Sequence, residues 1–298
     1  MIKDFFLMDV SIIIVNYNTL LLTSKCIGSI FDRTNDVDFE VIVVDNCSTD
    51  GSIEAFSGDS RISFVPLSKN LGFGMANNEG FKIAKGKYVF CLNPDTILLN
   101  NAIKILFNFM ETQPNAGVCG GNLYDCDMNP THSYRMTLPS IWWEIDCHLR
   151  YFFGKIIWGR NLEFNHTDKP RPVGYITGAD MMARKEMLEI VGGFSKHFFM
   201  YYEECELTYR IRKAGYEVYS VPDAKIQHLE GKSFKTSDLT WKEKCMINSK
   251  WMYRKLCYPS PIYKMLRYYS LTAAKFAGDR NPKFLYVKEL LRKIQDEK

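Results

Sequence analysis

Three short runs dictate most of what this chain can become. Val10–Val15 (VSIIIV), Phe39–Val44 (FEVIVV) and Tyr88–Leu92 (YVFCL) are rich in β-branched and aromatic residues, and apart from Ser11 and Glu40 they are apolar at odd and even positions alike. A strand points successive side chains to opposite faces, so a run without alternation must be covered on both sides. That pattern belongs to interior strands of a parallel sheet and excludes a half-solvated antiparallel one. The covering helices lie between the runs. Leu20–Phe31 and Phe73–Ala84 carry apolar residues at helical spacing, and Ser52–Phe56 is a short helical stretch before a third strand, Ile62–Val65. Strand, helix and strand in succession imply right-handed βαβ units.

Each of these strands runs straight into polar residues, and in open parallel sheets ligands bind beyond the carboxyl ends of the strands. The loops Asn16–Thr19, Asp45–Asp50, Lys69–Gly74 and Asn93–Thr96 are therefore expected to converge on one crevice. Downstream, Ala102, Ile105, Leu106, Phe109 and Met110 trace an amphipathic helix closed by Pro114, and Gly117–Tyr124 reads as another strand. The stretch Asp125–Pro172 is irregular and aromatic, with one or two short helices expected. Order returns with Tyr175–Arg184, a helix Lys185–Val191, a helix Glu204–Ala214 capped by Gly215, and a strand Glu217–Val221.

With 298 residues, 46% hydrophobic and 24% charged, the chain can bury a sizeable core, which excludes intrinsic disorder and a small disulfide-stapled module. The net charge of +4 points to no nucleic-acid partner. It is unevenly spread, however. Residues 232–298 hold 16 Lys and Arg against 6 Asp and Glu, a balance of +10, which leaves −6 for residues 1–231. Nine cysteines without a CxxC pair fit a reducing compartment. The opening MIKDFFLMDV is too short and too acidic for a signal-peptide core, and no stretch reaches the ~20 apolar residues of a membrane span. A cytoplasmic protein is expected.

Several short motifs carry possible chemistry. Asn93-Pro94-Asp95 sits at the mouth of the fourth strand, where a carboxylate can hold a hard divalent cation against a diphosphate; alone, it also reads as a turn. Asp45-Asn46-Cys47-Ser48 offers ligand contacts or turn and cap residues. Lys69–Gly74 is a glycine-containing loop before a helix, suited to close backbone approach to a phosphorylated ligand. A dinucleotide fingerprint would need a third glycine at Asn77 and a place at the first βα turn, so a Rossmann-type oxidoreductase is disfavoured. Glu203, Glu204 and Glu206 cluster at a helix start, where the macrodipole favours negative charge; the functional alternative is a general base facing the crevice. His228, following a strand, is either structural or a ligand.

In order, SIIIVNYN, VVDNCSTDGS, KNLGFGMANNEG, LNPDT, TGADMMARKEMLEIVGGF, FFMYYEECELTYRIRKAGY and PDAKIQHLEGKS resemble the family 2 glycosyltransferases over about residues 10–235, and NPDT resembles their rhamnosyltransferase-like branch. The resemblance implies an α/β GT-A fold, a single Rossmann-like mixed sheet with flanking helices. It makes residues 1–235 the catalytic domain and 236–298 a basic, aromatic helical extension. It further implies an inverting transfer of a hexosyl or deoxyhexosyl group from a nucleotide-diphosphate sugar, dTDP-rhamnose among the candidates, to a glycan or lipid-linked acceptor in surface polysaccharide assembly.

Residue by residue, the resemblance places Asn18, Asp45, Asn70 and Gly72 around the nucleotide. Asp95 takes the last position of the DxD motif, where it would reach Mg²⁺ or Mn²⁺ with His228 as a further ligand. Asn93 replaces the motif's first carboxylate and so weakens cation attraction. Glu204 stands where the family's ED motif has an aspartate base, which leaves both Glu203 and Glu204 as candidates. Asp180 is either a sugar or acceptor contact or a helix cap. These two departures also keep open a nucleotide-sugar-binding protein with weakened catalysis. The basic aromatic tail reads either as peripheral contact with the inner face of an anionic plasma membrane or as helices packed on the catalytic domain.

Overall fold

The computed structural model describes residues 8–229, 240–277 and 282–296; the domain boundary expected at 235/236 and the motif residues 230–233 lie outside them. The first half alternates strands and helices: β1 (Met8–Asn16), α1 (Leu20–Arg33), β2 (Phe39–Asp45), α2 (Ser52–Ser57), β3 (Ile62–Pro66), α3 (Phe73–Ile83) and β4 (Gly86–Leu92). Then follow β5 (Thr96–Leu98), α4 (Ala102–Thr112), β6 (Ala116–Tyr124), β7 (Tyr134–Arg135), α5 (Ile141–His148) and α6 (Phe152–Trp158). The remainder comprises β8 (Arg171–Pro172), β9 (Tyr175–Ile176), β10 (Asp180–Arg184), α7 (Lys185–Val191), α8 (Glu203–Lys213), β11 (Glu217–His228), α9 (Trp241–Cys257), α10 (Ser260–Ala277) and α11 (Pro282–Asp296).

The main sheet runs β3-β2-β1-β4-β10-β6-β11-β5, with β8 added to β11. The strands β1 to β4 are parallel, as their two-sided hydrophobicity requires. Strand β10 runs antiparallel to β4 and β6, and β5 antiparallel to β11, so the sheet is mixed. In β1, Ile12 and Ile14 face a core shared with Cys26 and Ile30 of α1 and Leu106 of α4. Its Ile13 and Val15 face the opposite core, with Ala76 of α3, Met187 of α7 and Leu207 of α8. Burying each such side chain contributes about 1.5–3 kcal/mol, an upper estimate because the unfolded chain is itself partly collapsed. A polar residue on either face of β1 is therefore unfavourable.

Three elements differ from the sequence reading. The strand expected at Glu217–Val221 continues to His228, because Pro222 falls in a register shift between Ser220 and Lys225, where its missing N–H breaks no ladder bond. The strand β5 follows the Asn-Pro-Asp turn directly and was too short to show a period of its own. The expected helix at Glu204–Ala214 begins one residue earlier and ends at Lys213, with Gly215 at a φ of 91° just beyond it.

The helix α9 packs on the sheet domain. Its Tyr253 and Cys257 join Tyr175, Phe198 and Cys205 in one buried cluster. Ser249 Oγ donates to the Met200 carbonyl at 2.7 Å. Arg254 grips the buried Glu144 of α5 through two hydrogen bonds, the one from Nε being 2.8 Å, and the Tyr258 hydroxyl donates to the same carboxylate at 2.9 Å. Lys250 Nζ lies 3.4 Å from it. Burial pushes the Glu144 pKa up, but the Arg254 bond and the charges of Arg254 and Lys250 outweigh it and hold the carboxyl below its ordinary value. A depressed carboxyl pKa contributes stability at neutral pH that is lost as pH falls through the folded value.

Removing one partner of such a buried pair strands the other charge. The Glu144→Ala variant is expected to lose about 3–5 kcal/mol in denaturant unfolding, whereas the Glu144→Met/Arg254→Met double variant recovers most of it. Equal losses in the two variants would show that the pair stabilises nothing through its charges.

Candidate functional site

At the carboxyl edge of β1 and β2, the paired residues Asn16 and Asp45 meet side chain to side chain. Asn16 Nδ2 donates to Asp45 Oδ1 at 2.6 Å and to Ser48 Oγ at 3.0 Å, while its Oδ1 accepts from Thr19 Oγ1 and Thr23 Oγ1 at 2.9 and 2.7 Å. Asp45 Oδ2 accepts the Ser48 N–H at 2.9 Å. Both Asn16 and Asp45 are fully buried, so here Asp45 organises the loops rather than presenting a free edge to the crevice. Asn18 lies at the rim with φ 53°; its N–H donates to Ser48 Oγ at 2.9 Å and its Oδ1 accepts the Thr49 N–H at 2.8 Å.

The loop before α3 is clamped from the same centre. Asn46 Oδ1 accepts the Leu71 N–H at 2.7 Å, and Asn70 Oδ1 accepts the Gly72 N–H at 2.9 Å. Gly72 has φ 81°, and a Cβ placed there would lie 2.1 Å from the Phe199 carbonyl oxygen. That oxygen accepts the Phe73 N–H at 2.9 Å. Gly72 is thus required for close backbone approach to the segment leading into α8.

After β4, the Asn93 N–H donates to the Ala179 carbonyl and Thr96 Oγ1 closes back on the Asn93 carbonyl at 2.7 Å. The β5–β11 pairing sets His228 opposite Thr96, which brings His228 Nε2 to 3.2 Å from Asp95 Oδ1 and 3.4 Å from Asn93 Nδ2. Two ligands at right angles, each about 2.1 Å from a cation of the Mg²⁺ type, would sit about 3 Å apart, so the spacing fits such an ion. Among the described residues no cluster of three or more His, Cys, Asp or Glu is placed to hold a metal. An ion held by two side chains suits hard cations that keep waters and take substrate phosphate oxygens.

The helix α8 opens with Glu203 and Glu204 after two tyrosines, Tyr201 and Tyr202, at φ 70° and 65°. Bulky residues in the left-handed region are strained and persist where the surroundings fix them. Here Tyr202 packs on Tyr253 of α9, with ring centroids 5.6 Å apart. Glu203 is 5% exposed and its Oε2 has no hydrogen-bond partner among the described residues; Glu204 is partly exposed and accepts from Cys205 Sγ at 3.7 Å. Burial raises the pKa of both carboxyls, and the Glu204 charge raises that of Glu203 further. The third carboxylate of the cluster is structural: Glu206 binds Arg210 at 2.8 and 2.7 Å, and Arg210 in turn donates to the Val191 and Gly193 carbonyls.

Asp180 begins β10 and caps no helix. It is fully buried, its Oδ2 accepts the Gly121 N–H at 2.6 Å, and burial raises its pKa well above the ordinary value.

The family model described as glycosyl transferase family 2 matches residues 11–189. The chain belongs to that family. Among its relatives, the N-acetylglucosaminyl-diphospho-decaprenol L-rhamnosyltransferase of Mycobacterium tuberculosis is 29% identical over 203 residues, covering 63% of this chain and 66% of the relative. A low-salt glycan biosynthesis hexosyltransferase of Haloferax volcanii is 27% identical, covering 69% of this chain and 62% of the relative. The chain thus spans no more than 66% of the length of these two relatives. The crystal structure of residues 1–349 of Staphylococcus aureus TarS matches with a TM-score of 0.52 at 18% identity, over 74% of this chain and 60% of that one. TarS has also been solved in complex with UDP. The fold of this chain is GT-A, with a mixed central sheet and flanking helices.

Asn16 and Asn46, which the sequence placed only within polar strand-end segments open to ligand, turn or cap roles, are the residues that bind the loops together. Both sit in strand-terminal Asn or Asn-Asp positions, where side chains commonly bind neighbouring backbone. Their role depends on loops 25 to 32 residues away, which local spacing does not reveal.

For Asp180 the sign is clear. A carboxyl whose folded pKa is raised costs stability as pH rises above its unfolded value. Asp180→Asn keeps the acceptor for Gly121 and removes that cost. The melting temperature of the variant should therefore fall less than that of the parent protein between pH 5 and pH 8. An identical fall in both would contradict the buried neutral carboxyl.

Proposed function

We propose that this chain is an inverting glycosyltransferase that moves a hexose or deoxyhexose, dTDP-rhamnose being a candidate donor, from a nucleoside diphosphate to a hydroxyl of a glycan or lipid-linked acceptor in bacterial surface polysaccharide assembly. The observation that carries the reading is the Asp95–His228 pair, 3.2 Å apart at the mouth of β4, beside the loops organised by Asn16 and Asp45. The named mycobacterial relative, which acts with a diphospho-decaprenol acceptor, and the UDP complex of TarS support the donor and acceptor classes.

In the proposed step, Glu204 accepts the proton of the acceptor hydroxyl. The oxygen forms a bond to the anomeric carbon as the bond from that carbon to the diphosphate breaks, and the nucleoside diphosphate leaves with the electron pair. Glu204 is favoured over Glu203 because it is partly exposed, whereas Glu203 is buried and its pKa is raised by that burial and by the Glu204 charge. Asn18, Asn70 and Gly72 would border the nucleotide, with Asp45 fixing their loops from below. Asp95 and His228 would hold a divalent cation, which supplies electrostatic stabilisation of the departing diphosphate. Asn93 lowers the local negative charge, consistent with weaker cation binding. A lipid-linked acceptor would place the protein peripherally at the inner face of the plasma membrane. Among the described residues no helix is long and apolar enough to cross it.

A positioned general base contributes about 10²–10⁴-fold. Glu204→Gln should lose nucleoside diphosphate release by that factor while still binding donor; retained turnover would move the role to another group. The raised Glu204 pKa gives the rate an acidic limb, with activity rising as the carboxyl deprotonates and a midpoint above the ordinary glutamate value of 4.5.

For the cation, the measurement is donor turnover after exhaustive chelation, followed by titration with Mn²⁺ or Mg²⁺. Asp95→Asn should raise the concentration needed for half-maximal rescue at least tenfold, an expectation for the loss of the anionic ligand. Unchanged turnover after chelation would remove Asp95 and His228 from this role.

A further inference from the structure

The helical hairpin α5–α6 exposes more apolar surface than a solvated element has reason to. Trp142, Leu149, Phe152, Phe153, Ile156 and Ile157 all point outward, with Trp142 76%, Ile156 68% and Ile157 65% exposed. Isolated exposed apolar residues are ordinary, but six within sixteen positions form a patch of the kind that marks an interaction surface. The hairpin is held rigidly in that exposed form. Asp146 accepts the N–H groups of Phe153 and Gly154 at 2.8 and 2.9 Å, fixing the turn between the helices. Glu144 is pinned to Arg254 of α9.

The unpaired charges of the hairpin are basic, and the nearby Glu163 is held by Arg135 at 2.9 Å. Both acids of the hairpin, Glu144 and Asp146, are occupied by these internal bonds, while Arg150, Lys155 and Arg160 are exposed. Aromatic and aliphatic side chains bordered by exposed bases, with no free carboxylate among them, match the interfacial layer of an anionic bilayer. A protein partner would need complementary acids instead. In the C-terminal segment, Trp251 and Tyr253 of α9 are buried against the rest of the protein, and the exposed Tyr268 and Tyr269 of α10 provide the competing surface for the test.

We infer that α5–α6 is the element by which this glycosyltransferase seats on an anionic lipid surface, its aromatic face in the headgroup layer. The inference rests on the reading that the acceptor is lipid-linked. It adds a geometric reason for the hairpin's position. The Glu144 side chain receives the Tyr258 hydroxyl, Tyr258 packs on Tyr253 at 6.1 Å, and Tyr253 packs on Tyr202, the residue preceding Glu203. Three tyrosine side chains thus connect the buried face of the hairpin to the start of the helix that carries the proposed base.

The test is flotation of the full chain with large unilamellar vesicles of phosphatidylglycerol and phosphatidylethanolamine, against vesicles of phosphatidylcholine. The parent should bind the anionic vesicles preferentially. Phe152→Ser/Phe153→Ser/Ile156→Ser should lower the partition coefficient about tenfold or more, since burial of several large apolar side chains is lost. Arg150→Gln/Lys155→Gln/Arg160→Gln should abolish the preference for anionic lipid, and Tyr268→Ser/Tyr269→Ser on α10 should change little. As a measurement independent of these multiple variants, brominated lipids should quench the parent's tryptophan fluorescence, and Trp142→Phe should remove most of that quenching. Absence of parent binding, equal binding by the hairpin variant, a larger loss from the α10 variant, or hairpin-dependent dimers in sedimentation would each overturn the inference. Nucleoside diphosphate release is scored separately, without vesicles and with detergent-solubilised polyprenyl-diphosphate saccharides supplied as acceptor. Its presence without vesicle binding sinks the docking surface alone, and its absence with vesicle binding sinks the catalytic reading.

Discussion

A single short hydrogen bond, from Asn16 to Asp45, ties together the ends of the two strands on which the crevice depends. The two residues are partners in the β1–β2 ladder, so the backbone register sets their meeting and their side chains complete it. In a fully buried position an unpaired amide or carboxylate would be costly, and each finds its remaining partners in the loops that follow: Thr19, Thr23 and Ser48. The loops therefore inherit their shape from the sheet. Asn46 passes the same constraint to the loop before α3, and from there Gly72 passes it to the approach to α8.

The sheet was legible because uninterrupted apolar runs leave a strand no choice but to be buried on both faces. The helices α1, α3 and α7 were legible from period and punctuation. What escaped was whatever depends on a partner distant in sequence. Strand β5 has three residues and exists because β11 lies beside it; β11 runs on through Pro222 because a register shift absorbs the missing donor. The candidate site followed the same division. Asp95, His228, Glu203 and Glu204 were visible as residue types in strand-terminal or helix-initial positions. The juxtaposition of Asp95 with His228 was not, since it is made by β5. The commitment of Glu206 to Arg210 is an i,i+4 pair that helical spacing does offer, whereas Glu203 and Glu204 have Leu207 and Thr208 at that distance.

Charge in this protein is governed by burial more than by composition. Arg254 holds Glu144 ionised inside the fold, while Asp180 and Glu203 have no cationic partner among the described residues and burial raises their pKa values. The acidic balance of residues 1–231 therefore overstates the negative charge those residues carry near neutral pH. The helix α9, apparently an appendage by composition, is the source of the cation that keeps Glu144 ionised and of the ring that braces Tyr202.

The contact between Gly72 and Phe199 has a mechanical meaning. A hydrogen bond from Phe73 and a separation too small for any side chain weld the glycine loop to the strand of backbone that turns into α8. Neither can shift by more than a fraction of a bond length without carrying the other. The lever arm is short, five residues from Phe199 to Glu204, and it passes through two tyrosines in the left-handed region. The proposed base is in this sense geared to the floor of the proposed nucleotide pocket: whatever settles that floor also sets the aim of the carboxylate, and a loosened floor leaves it swinging.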